Sequence, residues 1–132
     1  MSCHRKSRCT SMQNTSVVAL TAVPTPVAMV VAGDSHSKTR EIEIEAKVSP
    51  QPSVAGQEAV FSFRVDGTAV GDVVQVTMAQ VPALTNSVRT ETLLRAVLPV
   101  GPGPHSIELL ASSPDVGVDL LPGGAKLSVK AD

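Results

Sequence analysis

Aromatic residues are almost missing from this 132-residue chain, which holds Phe61 and Phe63 and no Tyr or Trp. Platforms for stacking nucleobases need exposed aromatic rings, and so do cages for cationic ligands. Neither can be assembled from two phenylalanines. Charge is also scarce, at 17% of residues, whereas 42% are hydrophobic. That balance excludes wholesale disorder. Cysteine is limited to Cys3 and Cys9, which with His4 give Cys-His-x4-Cys. A structural zinc site needs four ligands at tighter pair spacing. A short local disulfide and two free thiols both remain open.

The apolar content comes instead from Val and Ala, punctuated by ten Pro and nine Gly. Val loses side-chain freedom in a helix, and Pro at this frequency interrupts one. The chain therefore reads as all-β and has room for one domain. Its charge is lopsided. Residues 1–14 carry Arg5, Lys6 and Arg8 with no acid, leaving eight Lys and Arg against twelve Asp and Glu elsewhere, a net of −4. This predicts a basic arm over residues 1–14 on an acidic domain over 15–132. The arm is expected to dock to a partner through Arg5, Lys6 and Arg8. Three cations are too few for direct nucleic-acid binding, since each phosphate contact takes one.

The uncharged stretch that follows, Cys9 to Gly33, superficially resembles a signal peptide ending near Ala32. Thr10 to Ser16 is too polar for that, and Pro24-Thr25-Pro26 breaks the apolar run. A membrane-spanning helix fails for the same reasons. Residues 15–31 are expected to form two short strands bent at the prolines, placed at a sheet edge because Pro cannot donate to a ladder.

Strict alternation is clearest over residues 40–48. Ile42, Ile44, Ala46 and Val48 point one way, and Glu41, Glu43, Glu45 and Lys47 the other. One buried face and one solvated acidic face follow, with the Glu row discouraging edge-to-edge pairing. Phe61, Phe63 and Val65 predict a second half-buried strand, closed by a turn at Asp66-Gly67. Val74, Val76 and Met78 mark a strand over 72–79. Residues 87–98 read as a longer strand with a bulge, or burial on both faces, at Leu93-Leu94. Gly101-Pro102-Gly103-Pro104 is a rigid turn, and His105 is a hydrogen-bonding residue at the start of the next strand. Ile107, Leu109 and Ala111 are expected inside, then Val116, Val118 and Leu120. Ala125, Leu127, Val129 and Ala131 give the last strand. About eight antiparallel strands spaced near ten residues apart form a β-sandwich or jelly roll.

Catalytic patterns are not found. Ser35-His36-Ser37 has no nucleophile elbow, and adjacent side chains point apart. Asp34, Asp66, Asp72 and Asp115 are assigned to loops, where turn chemistry accounts for them. The prolines of the 101–104 turn remove amides that a phosphate cradle would need. We therefore expect no enzyme, no cofactor and no metal.

Three segments carry a resemblance to a known family. They are Phe61-Ser-Phe-Arg-Val-Asp66-Gly67, then Gly103-Pro-His105-Ser-Ile-Glu-Leu-Leu-Ala111, and finally Leu127-Ser-Val129. Together with the opening strand, they make residues 15–131 similar to the small jelly rolls of tailed-phage virion proteins, related in architecture to tumour-necrosis-factor and complement globular domains. The resemblance implies a virion structural protein: a capsid decoration or cement protein, a head fibre base, or a tail appendage. It implies a homo-oligomer, commonly a trimer, and the major capsid protein or another virion protein as partner. It implies neither nucleic acid nor membrane. The chain departs from that family in lacking the aromatics that often pack the trimer axis. Asp66, Gly67, Gly103 and His105 are carried over as structural turn residues. From another class, a secreted immunoglobulin-like module binding carbohydrate or a cell surface also suits the composition, and it predicts a monomer.

Overall fold

Residues 8–32, 40–78 and 91–131 are described by a computed structural model. They form ten strands: β1 (Arg8–Gln13), β2 (Val18–Ala19), β3 (Thr25–Ala32), β4 (Arg40–Val48), β5 (Glu58–Val65), β6 (Thr68–Thr77), β7 (Thr92–Val100), β8 (His105–Ser112), β9 (Asp119–Leu120) and β10 (Ala125–Ala131). No helix occurs among the described residues. One sheet has the order β1-β10-β4-β7, the other β3-β8-β5-β6, and the two-residue strands β2 and β9 pair separately. Counting only the eight longer strands, the orders are first-eighth-third-sixth and second-seventh-fourth-fifth. All neighbours are antiparallel. This wrapping is a jelly-roll β-sandwich, as the turn spacing and alternation predicted.

Period-two burial builds the core. Phe61 and Phe63 on β5 are 0% and 2% exposed, and Ile42, Ile44, Ala46 and Val48 on β4 are equally buried. Ile107, Leu109 and Ala111 of β8 and Ala125, Leu127 and Val129 of β10 complete the inner faces. The hairpin from β5 to β6 is closed by a two-residue loop, Asp66-Gly67, flanked by the pair Val65 and Thr68. Both loop residues have positive φ, 51° and 83°. That is the primed turn matching strand twist, which explains why Asp-Gly occupies it.

Several expectations need correction. Residues 8–13, assigned to an arm, form β1 and pair in continuous register with β10, from Arg8 opposite Ala131 to Gln13 opposite Lys126. The sandwich therefore begins at Arg8, and residues 1–7 lie outside the described residues. The acidic side of β4 is not wholly solvated, because Glu45 is only 8% exposed. Its carboxylate lies 3.8 Å from Arg95 on β7. β4 runs between β10 and β7, so its Glu row cannot guard an edge. It is balanced across strands instead, with Glu43 opposite Lys130 and Glu45 opposite Arg95. Leu93-Leu94 makes no bulge: the β4–β7 register is unbroken, Leu94 is buried and Leu93 is half exposed. Val116, expected inside, is 93% exposed. Asp72 lies within β6 rather than in a loop.

Asn14 ties the start of the sandwich to its end. It is buried just after β1. Its side-chain amide donates to the carbonyls of Ser16 and Leu121, at 3.1 and 2.8 Å, and its Oδ1 accepts from the Ala125 amide at 2.9 Å. Its own carbonyl accepts from Gly123. Asn14→Ala strands the Ala125 amide and leaves the Leu121 carbonyl with the Gly124 amide alone. It should lower unfolding stability by about 2 kcal/mol, measured as a shift of the urea midpoint.

Candidate functional site

Two features stand out: a polar cluster at one end of the sandwich and an open apolar side. The cluster joins the β5–β6 turn to the loop before β8. Asp66 is aimed by its left-handed backbone in the turn. Its Oδ1 accepts from the Ser106 amide at 2.9 Å, and its Oδ2 meets His105 Nδ1 at 2.5 Å. His105 Nε2 donates to the Gly101 carbonyl at 2.7 Å across the four-residue turn. Gly103 enables that turn, with φ at 92°. The Asp66 amide returns a bond to the Ser106 carbonyl at 2.8 Å. Hydrogen bonds from His105 first and the Ser106 amide second hold the Asp66 carboxyl below the usual range. The same bond to Asp66, then that to Gly101, raises the His105 imidazole above its ordinary value. The His105 side chain is largely covered, whereas Asp66 is half exposed, so solvent weakens the pair.

The open side lies between edge strands β1 and β3. An open groove of about 380 Å³ runs there, lined by Met12, Asn14, Val18, Val27 and Met29 among others. Met12 and Met29 of this lining are both more than half exposed. Arg8, singled out for docking, opens β1 at this edge. Arg5 and Lys6 lie outside the described residues, as do Cys3, His4, Asp34 and His36.

The sandwich has four edge strands, and three carry features that discourage pairing. β3 has Pro26 and a register shift before Ala28. β6 has a register shift opposite Phe61 and Phe63, next to Gly71, where an added Cβ would sit 3.4 Å from Ala96 of β7. β7 contains Pro99. Prolines and bulges are the usual means of blunting an edge. β1 has neither, and its ladder is regular.

Elsewhere, Arg64 and Glu108 form a two-bond pair, both contacts at 3.0 Å, on the outer face of the second sheet. Arg64 holds the Glu108 carboxyl below its usual range, and Glu108 raises the guanidinium in turn. At the opposite end from His105, Asp115 accepts from the Glu58 amide at 2.8 Å, a turn-stabilising contact. Sequence reasoning overlooked β1 and Asn14. The residues of β1 are mostly polar and flank a single apolar Met12, so no periodicity announces them. Among the described residues, no cluster of three metal-ligating side chains occurs.

No protein-family model matches the sequence, and no curated protein matches it. Solved structures match in fold. The VP2 subviral particle of infectious bursal disease virus aligns with a TM-score of 0.60 at 15% identity, over 96% of this chain and 33% of that one. A T13 viral particle of the same virus gives 0.51 at 14% identity, over 95% and 31%. A family GH115 4-O-methyl-alpha-glucuronidase gives 0.52 at 19% identity, over 98% and 18%. The chain thus spans a third or less of each of these structures. Their common ground with it is the sandwich fold.

The turn geometry yields a prediction. Gly67 has φ at 83° and open space where a Cβ would go. Gly67→Ala should therefore cost backbone strain alone, about 1 kcal/mol, seen as a modest drop in thermal midpoint with an unchanged β circular-dichroism spectrum.

Proposed function

We propose that this protein is a non-enzymatic virion structural subunit that works as an oligomer through the open β1–β3 side. The observation that carries the reading is the regular, proline-free edge of β1 beside a groove that exposes Met12 and Met29. An edge of this kind in a stable protein is ordinarily covered by a partner. The core adds a physical motive. Apart from Phe61 and Phe63 it consists of small and medium aliphatic side chains, so each residue buries little area and association supplies more. The fold likeness to a VP2 subviral particle and to a T13 viral particle of the same virus favours a virion setting. Within that setting, capsid decoration of a tailed phage is the specific role we propose, with the capsid surface as partner. Arg5 and Lys6, directly ahead of β1 in the sequence, are the proposed cationic contacts to it.

A carbohydrate-binding module is disfavoured by the same composition. Both aromatic rings are buried in the core, so no ring faces outward for a sugar to stack on.

Sedimentation velocity and native mass spectrometry of the full chain test the oligomer. A species larger than the 13.6 kDa monomer is expected, weakened at least tenfold in affinity by Met12→Lys, which places a charge on the half-exposed edge. A 13.6 kDa monomer at every soluble concentration would sink the proposal.

A further inference from the structure

We infer that His105, Asp66 and Gly101 form a protonation-controlled latch, which tightens the tie between the β5–β6 turn and the loop before β8 while the imidazole carries both its protons and loosens it when one is lost. The inference stands on geometry. Both imidazole nitrogens face groups that only accept hydrogen bonds, the Asp66 carboxylate and the Gly101 carbonyl. A neutral imidazole has one N–H and can satisfy one of them. Only the doubly protonated ring satisfies both. Losing that proton places a lone pair against a lone pair on one side, and a strand start loses one of its two anchors.

Among the described residues, the surroundings are otherwise nearly free of charge. In β3, which pairs with β8 from Ala32 opposite His105, residues 25–32 contain no ionisable side chain. Residues 33–39, which follow, lie outside the described residues. On β8, Glu108 is engaged by Arg64. At the start of β4, Arg40 stands opposite Val100. The loop from Gly101 to Pro104 carries no charge. Asp66 is therefore the counter-ion on which the latch depends.

The pH window follows from the two partners. His105 is raised in the folded state, so its contribution is complete below the ordinary imidazole value of about 6.5 and fades as pH rises through the raised value. Asp66 is lowered, so its contribution is complete above the ordinary value of 3.8 and fades as pH falls through the lowered one. The latch is tightest between these limits.

The test is a nitrogen-detected imidazole and amide NMR titration of the full chain, with the three histidines assigned, from about pH 5 to about pH 9. His105 should carry hydrogens on both nitrogens at the acid end of the titration and lose one with a midpoint above the ordinary imidazole value. The Ser106 and Asp66 amides should shift with the same midpoint. Asp66→Asn, which keeps an oxygen for the Ser106 amide, should bring the His105 midpoint down. If that variant fails to fold, the titration of the unaltered protein decides alone. A His105 midpoint at or below the ordinary value, or amides that stay still through the His105 transition, would overturn the latch.

Discussion

Two four-stranded sheets must close over a core that holds only two large side chains, and the rest of the molecule answers to that constraint. Sheets in a sandwich stack about 10 Å apart, and inward side chains have to fill the gap. Here the two rings are concentrated on β5, an interior strand. Phe61 stands opposite Ala111 on one neighbour and Val74 on the other. Phe63 stands opposite Leu109 and Val70. The rings thus face smaller aliphatic neighbours in the strand ladder, and the opposing sheet offers Ile42, Ile44 and Ala46 from β4. With volume concentrated in this way, stability depends on correct register. A one-residue slip would turn both rings to solvent at once.

Register is accordingly pinned where the sheets end. Asp66 and Gly67 set the β5–β6 hairpin through a turn that few other residue pairs can adopt. Asn14 fixes the end of β1 to the turn and start of β10 through four hydrogen bonds. At the far end Gln57 accepts from the amides of Ser53 and Val54 and donates to the Val116 carbonyl. Each device lies in a loop or at a strand terminus and satisfies backbone groups that the ladders leave over. Polar side chains thereby fix pairings that a thin aliphatic core specifies less sharply.

This division explains what could be read from the sequence. β4, β5 and β10 were visible because Ile, Phe, Leu and Val alternate there with polar residues, and half-buried strands require that period. The Asp66-Gly67 turn was visible because its chemistry is local. β1 was not, since an edge strand buries little and Arg-Cys-Thr-Ser-Met-Gln shows no face. Alternation alone sends Glu45 to water because one strand cannot reveal its neighbours; only the flanking strands β10 and β7 make that position crowded. Leu93 misled for the opposite reason. Its apolar character suggests burial, but the unbroken β7 ladder sends it outward. Asn14 carried no signal, because its partners Leu121 and Ala125 come more than a hundred residues later.

The position of β10 has a consequence for the order of events in synthesis. It lies between β1 and β4, yet emerges from the ribosome after both of them and after β7. Until it arrives, the first sheet lacks its second strand, and β1 has no partner at all. The other sheet, β3-β8-β5-β6, can assemble earlier, but the sheet that covers its inner face still lacks β10 and the pairing of β1. Pairings of such long sequence separation form slowly, and the waiting chain exposes both apolar surface and open ladders. A nascent chain of this design is most vulnerable to aggregation in the interval just before β10 emerges.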